Sequence, residues 1–327
     1  MLETENETKL KKFLPYIQLF IAIIAVSFAA IIVVYLQKEE LLGLDVPSEV
    51  IAMYRTLFAG IGAFFLSFYG KKITWLKEKA TIKKIHWCVL AGLFLAIHFA
   101  TWFLSLKHVD VAISTTLVDT VPIFLAIFGF IFFREKIRAL GIIGISIAFT
   151  GGVLLAFALP NTSAPQQNPM LGIVFALIGA ITVAFYFLIG KKILKDSPLW
   201  PYFAIVNLSS ALFLLIYCLI RGYNIFSYSY LAFVLILLMA IGPSLIGHAT
   251  YNYSLKKIPA FVVGVAILGE PIGAAILGVI FLKQIPVWYA LIYAFIILIG
   301  IVLTSISQNV KINIFRKKVE SEIVQQD

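Results

Sequence analysis

The sequence predicts an all-α integral membrane protein of ten transmembrane helices, arranged as two inverted five-helix repeats. Three observations predict it. Of 327 residues, 61% are hydrophobic and 13% charged, about half the charge fraction of a soluble domain. Ten apolar runs reach, or nearly reach, the roughly 20 helical residues that span a bilayer core. Residues 105–154 align without a gap on residues 254–303. In lipid every backbone polar group must be satisfied internally, so the apolar runs read as helices.

The elements follow in order. The first dozen residues are polar, and the apolar run 13–36 is too long for the core of a signal peptide, so it reads as the first span. The second span covers 48–69, and "GKKITWLKEKATIKK" separates it from the third at 85–106. The fourth, 111–133, is followed by "FREKIR" and by the fifth at 138–159. The uncharged "PNTSAPQQNP" then divides the chain into halves, 1–160 and 161–327. The second half holds spans at 170–190, 200–220, 229–253, 259–282 and 286–307. The connections are too short to hold a soluble domain. No G-x-x-x-x-G-K-[ST] phosphate loop is present, which argues against a self-contained ATP-driven pump. Cys88 and Cys218 lie in apolar segments and imply neither a disulfide nor a metal framework. No cofactor is expected.

Lysine and arginine set the orientation. With the N-terminus in the cytoplasm, 21 of the 26 basic residues fall in inner segments, four (Lys38, Lys107, Arg221 and Lys283) in outer ones, and Arg55 within a span. That bias predicts both termini in the cytoplasm. The net charge of +10 therefore points to an anionic membrane surface, not to nucleic acid.

The repeat has an offset of 149 residues and carries 15 identities in 50 positions. Pro122 falls on Pro271, Gly129 on Gly278 and Gly151 on Gly300. Shared apolar bias does not place proline and glycine in one register. Five spans per repeat is an odd number, so the second repeat enters the membrane upside down. Inverted repeats characterise many secondary transporters, with the substrate held near the midplane between them.

Ionisable residues at mid-membrane cost about 2.5–3.5 kcal/mol each on insertion scales and so call for a reason. Within the spans they are Arg55, His98, Asp119, His248 and Glu270. On the third span His98, Thr101, Trp102 and Ser105 share one helical face. On the eighth, Ser244, His248, Tyr251 and Asn252 do the same. Thr115, Thr116, Asp119 and Thr120 cluster before Pro122, and Glu270 immediately precedes Pro271. These stripes predict a cavity between the third, fourth, eighth and ninth helices, containing His98, Trp102, Asp119, His248, Tyr251, Asn252 and Glu270. The almost purely apolar fifth and tenth spans would pack outside it. Pro122 and Pro271 are expected to kink their helices. Gly269 and Gly273 form a G-x-x-x-G that lets another backbone approach Glu270. Plainer roles exist for each. The histidines and Asp119 could tie helices together, Trp102 and Tyr251 could be packing aromatics, and Glu270 a buried hydrogen-bond donor. Arg55 reads as a snorkelling residue or half of a structural ion pair.

"SLIGHATYNYSLKKIPAFVVGVAILGEPIGAAILGVIFL" resembles the second-repeat signature of EamA-type proteins of the drug/metabolite transporter superfamily. "HFATWFLSLKHVDVAISTTLVDTVPIFLAIFGFIFFREKIRALGIIGISIAFTGGVLL" resembles its first-repeat partner, and "IAMYRTLFAG" the second helix. The resemblance covers nearly the whole chain. It implies a secondary transporter in the cell membrane, moving small polar metabolites such as amino acids, with protons as one candidate coupling ion. Two positions depart from the family pattern: Gln284 stands where Glu135 stands in the first repeat, and Asp119 is acidic. A lipid-linked flippase, also found among short relatives, would want a basic headgroup site, for which Arg55 alone is thin support. An intramembrane enzyme would need a nucleophile and base from separate elements. Ser244 and His248 share one helix face, so none is expected.

The predicted topology can be checked by cysteine accessibility. A cysteine at Ser163 should react with an impermeant reagent from outside, and one at Ser321 only after permeabilisation; the reverse pattern would sink this topology.

Overall fold

The computed structural model describes residues 2–37, 39–69, 73–75, 79–109, 111–158, 168–283, 288–289, 292–293, 295–304 and 306–307. The described residues are mostly helical, with no strand among them. Seven helices are long and apolar enough to cross a membrane: Tyr16–Gln37, Ser48–Leu66, Ile82–His108, Met170–Leu194, Leu199–Ile220, Tyr230–Ser254 and Ala260–Leu282. Shorter apolar helices, Val121–Phe133, Ala139–Leu154 and Phe295–Thr304, fall on the fourth, fifth and tenth expected spans. The fold is that of an all-α membrane protein. Ser163, Gln284 and Ser321, and the side chain of Thr116, lie outside what is described.

In chain order the helices are α1 (Leu2–Gln37), α2 (Glu39–Leu42), α3 (Ser48–Leu66), α4 (Lys79–His108), α5 (Val111–Val118), α6 (Val121–Phe133) and α7 (Ala139–Ala158). They continue with α8 (Pro169–Leu194), α9 (Leu199–Ile220), α10 (Tyr230–Met239), α11 (Ala249–Ser254), α12 (Ala260–Ile267), α13 (Glu270–Leu282) and α14 (Phe295–Thr304). Between α10 and α11 the chain winds as a π-helix, Ala240–His248. Pro243 lies inside it, and its missing N–H suits a stretch where the α ladder is already broken.

Helix α4 packs along α8, α3 along α9, and α1 against both the π segment and α13. Small residues set these contacts. The expected G-x-x-x-G lies on α1. A Cβ added at Gly269 would meet Ile23 at 3.3 Å, and one at Gly273 would meet Ser27 Oγ at 2.1 Å. The repeat offset reappears in the backbone. Helices α6 and α13 end in left-handed residues, Arg134 (φ 53°) and Lys283 (φ 54°), whose N–H groups return to Gly129 and Gly278. These pairs are 149 residues apart.

The apolar fifth and tenth spans pack on each other. Gly151 approaches the Ile297 backbone, while its counterpart Gly300 would place a Cβ 2.5 Å from the Ala148 nitrogen. Large side chains such as Phe65, Phe130, Phe132, Ile280 and Phe295 are exposed, an apolar surface suited to lipid. After α6, Glu135 accepts a bond from Lys191 near the end of α8.

The α7–α14 contact yields a stability prediction. A Cβ at Gly144 would sit 2.4 Å from Thr304 Oγ1 and 2.7 Å from its backbone nitrogen, whereas Gly242 has nothing within 4 Å. Gly144→Leu should cost about 1–3 kcal/mol through overpacking, seen as a lower thermal unfolding midpoint in detergent. Gly242→Ala should leave the midpoint nearly unchanged.

Candidate functional site

Two transmembrane segments are interrupted rather than kinked. The fourth breaks at Asp119–Thr120, between α5 and α6, and the ninth at Leu268–Gly269, between α12 and α13. This corrects the expectation of proline kinks. Pro122 and Pro271 sit in the first turn of α6 and α13, where a missing N–H leaves no ladder bond unmade. Tight turns carry the chain across each break. Thr120 N–H reaches Leu117 O at 3.2 Å, and Gly269 N–H reaches Ala266 O at 3.0 Å. The two breaks are again 149 residues apart. The broken helices also touch, α12 lying on α6, where a Cβ at Gly264 would come within 3.0 Å of Pro122 Cα.

Beside the breaks lies a small cavity. His98, Trp102, Asp119, His248, Tyr251 and Glu270 all line it. All six are buried, with Glu270 and His248 each 7% exposed. Asn252 does not line it. Its amide donates instead to the Tyr186 hydroxyl and, at 2.8 Å, to His248 O. The remaining wall is apolar and comes partly from helices that no polar stripe marked: Val26 on α1, and Val183 and Phe187 on α8. The accessible volume is about 30 Å³, and since one water needs ~10–15 Å³ the space suits on the order of two.

Glu270 occupies the first turn of α13, where free N–H groups favour negative charge. Its Oε1 accepts from the Tyr251 hydroxyl at 2.7 Å. Ser27 on α1 donates to its backbone carbonyl at 3.3 Å. Across the cavity, Asp119 Oδ2 is buried with no partner among the described residues, as are Trp102 Nε1 and His248 Nδ1. His98 Nδ1 lies 3.0 Å from Gly179 O, which ties α4 to α8. Its ring stacks on Trp102 with centroids 6.0 Å apart. His248 meets Phe99 edge to face at 5.5 Å.

Arg55 overturns the sequence reading. It does not snorkel; it is 0% exposed on α3. Its Nε donates to Ser244 Oγ at 2.9 Å, and its guanidinium lies 4.2 Å from the Phe99 ring centroid. Both terminal nitrogens, Nη1 and Nη2, are buried without a partner among the described residues. The shared helical face of Ser244 and His248 was the one signal that could have placed Arg55 here. Depth along a helix does not reveal which way a side chain turns.

The arrangement joins interrupted helices, buried acidic and basic side chains and a small cavity between them. The profile of the EamA-like transporter family matches residues 16–157 and again 170–306. The chain belongs to the EamA-like transporter family. A curated relative, the uncharacterized transporter YxxF of Bacillus subtilis (strain 168), is 24% identical over 251 residues, 76% of this chain and 78% of the relative. An uncharacterized transporter of Clostridium kluyveri is 26% identical over 255 residues, 76% of this chain and 80% of its own. One solved crystal structure superposes with a TM-score of 0.73 at 17% identity, over 90% of this chain and 98% of that one. It supports the fold alone. The two matched segments place one interrupted helix in each copy of the EamA unit, so the cavity draws on both.

The hydroxyl on Glu270 is testable. Tyr251→Phe would leave a buried carboxyl oxygen without its donor, a cost of about 1–3 kcal/mol. Thermal unfolding in detergent should show that loss, and Glu270→Gln,Tyr251→Phe should lose less than the sum of the single variants.

Proposed function

We propose that this membrane transporter is a secondary carrier of small polar metabolites, worked by alternating access around the central cavity and driven by protons through Glu270. Six polar or titratable side chains from both EamA units meet at the breaks of two interrupted helices, and that convergence carries the reading. Interrupted helices facing each other between repeats are a recurrent way to build a midplane substrate site. In this reading the repeats are residues 1–160 and 161–327, inverted relative to each other in the cell membrane, with both termini cytoplasmic. The solute is zwitterionic, cationic or neutral, because the acids that line the cavity are two, Asp119 and Glu270, and no arginine or lysine lines it.

The proton role falls to Glu270 for three reasons. It lies near the middle of its span and begins a half-helix that starts anew after the Leu268–Gly269 break. It also contacts α1 through small residues that permit sliding. An enzymatic reading finds less support. The Ser244 hydroxyl accepts from Arg55, and His248, the base that the sequence offers it, shares its helix face.

Glu270→Gln keeps the side-chain shape and removes its titration. In proteoliposomes the variant should insert and fold, lose solute accumulation driven by a pH gradient, and retain solute exchange without a gradient. Wild-type gradient-driven accumulation would assign Glu270 a structural role.

A further inference from the structure

A second pocket lies behind the wall that carries His248 and Tyr251. Its volume is about 360 Å³, and its lining includes Leu199 and Trp200 at the start of α9, Leu245 of the π segment, Thr250 and Tyr253 of α11, and Lys256. Residues 248 and 251 share one helical face and residues 250 and 253 the opposite one, so one stretch of chain serves both spaces. Polarity divides the second pocket. Lys256 follows the end of α11, at the mouth, whereas Leu245 lies deeper in the span. Trp200 and Tyr253 are amphipathic rings of the kind that favour a membrane–water boundary. Leu199 and Leu245 supply an apolar floor.

Lys256 does not act alone at the mouth. Its Nζ donates to Ser197 O at 2.6 Å, and Lys84 on α4 donates to Ser197 Oγ at 3.4 Å. Lys257 Nζ lies 4.6 Å from the centroid of the Tyr253 ring. Ammonium groups from α4 and from the turn after α11 thus gather at the loop between α8 and α9. Within residues 195–200 and 249–260 the one acid, Asp196, stands against Lys195, Lys256 and Lys257. The first turn of α9 adds no acid and has no side-chain cap. A basic mouth over an apolar floor complements an amphiphile with a negative head.

We propose that this pocket seats an anionic phospholipid of the surrounding membrane, its phosphate at Lys256 with Lys84 and Lys257 beside it, and an acyl chain along Leu199 and Leu245. The floor decides the source of the phosphate. A soluble anion would use the lysines and leave the apolar wall unmatched, whereas a lipid covers both. Seated there, the lipid braces α11 and the π segment from behind, where Pro243 lies inside the helix. It thereby steadies the wall that presents His248 and Tyr251 to the central cavity. The assignment stands apart from the carrier reading, and its test reads binding rather than transport.

The full chain in dodecyl maltoside is mixed with phosphatidylglycerol or phosphatidylcholine of identical acyl chains, at equal mole fractions. Native mass spectrometry counts the retained lipids, and the thermal unfolding midpoint reports their effect. One copy of phosphatidylglycerol should bind about tenfold or more tightly than phosphatidylcholine and raise the midpoint. Lys84→Gln,Lys257→Gln, which leaves the Lys256 bond to Ser197 in place, should weaken that copy about fivefold for each lysine removed. Thr250→Phe, which fills the pocket, should weaken both lipids. Lys136→Gln,Arg138→Gln, two basic changes on the loop after α6, should leave the tightest copy unchanged. Equal binding of the two lipids, or undiminished binding in Thr250→Phe, overturns the site. An equal loss from Lys136→Gln,Arg138→Gln overturns it too, by showing diffuse attraction alone. If glycerol 1-phosphate raises the midpoint as far as phosphatidylglycerol does, the lysines hold a soluble anion and the lipid assignment falls.

Discussion

The structure depends on what happens where a helix stops inside the membrane. No water is available there to satisfy the freed backbone groups, so an interruption survives only where protein covers it. Here two interruptions cover each other. Helix α12 lies on α6, with Gly264 against the backbone of Pro122, and α1 closes the other side through Ile23 and Ser27. The glycines are small because the backbones must touch, and the prolines stand where a helix begins. Glu270 sits at the start of α13 for the same reason: a start of a helix is among the few places where a carboxyl is tolerated at such depth.

Around that crossing the remaining helices act as positioners. Helix α4 brings His98 and Trp102, fixed to α8 through Gly179 O. The π segment brings His248 and, through Ser244, holds Arg55. The aromatic rings fill the space between these groups, so the polar side chains meet one another and the cavity rather than lipid.

The fold was legible in the sequence to a large degree because its signals are one-dimensional. Apolar length gives spans, and matched Pro122/Pro271 and Gly151/Gly300 give the repeat, whose register recurs in the helix breaks and in the caps at Arg134 and Lys283. Six of the seven expected cavity residues line one space because helical periodicity brings them to common faces. The rest needed three dimensions. Asn252 shares the face of Tyr251, yet a neighbouring tyrosine captures its amide. The contributions of α1 and α8 are apolar and left no polar stripe. The prolines announced a disturbance without saying whether the helix bends or restarts. Arg55 went astray because snorkelling and full burial look alike in a linear sequence.

The smallness of the central space has a consequence for the cell that houses the protein. A pore wide enough for a metabolite would let ions follow and discharge the membrane potential whenever the protein stood idle. Packed rings and two buried carboxyls leave room for only a couple of waters, too few for a conducting column. A protein resting in this state would offer ions no continuous water path through this space, so many copies could stand in a membrane without draining the gradient on which other work depends.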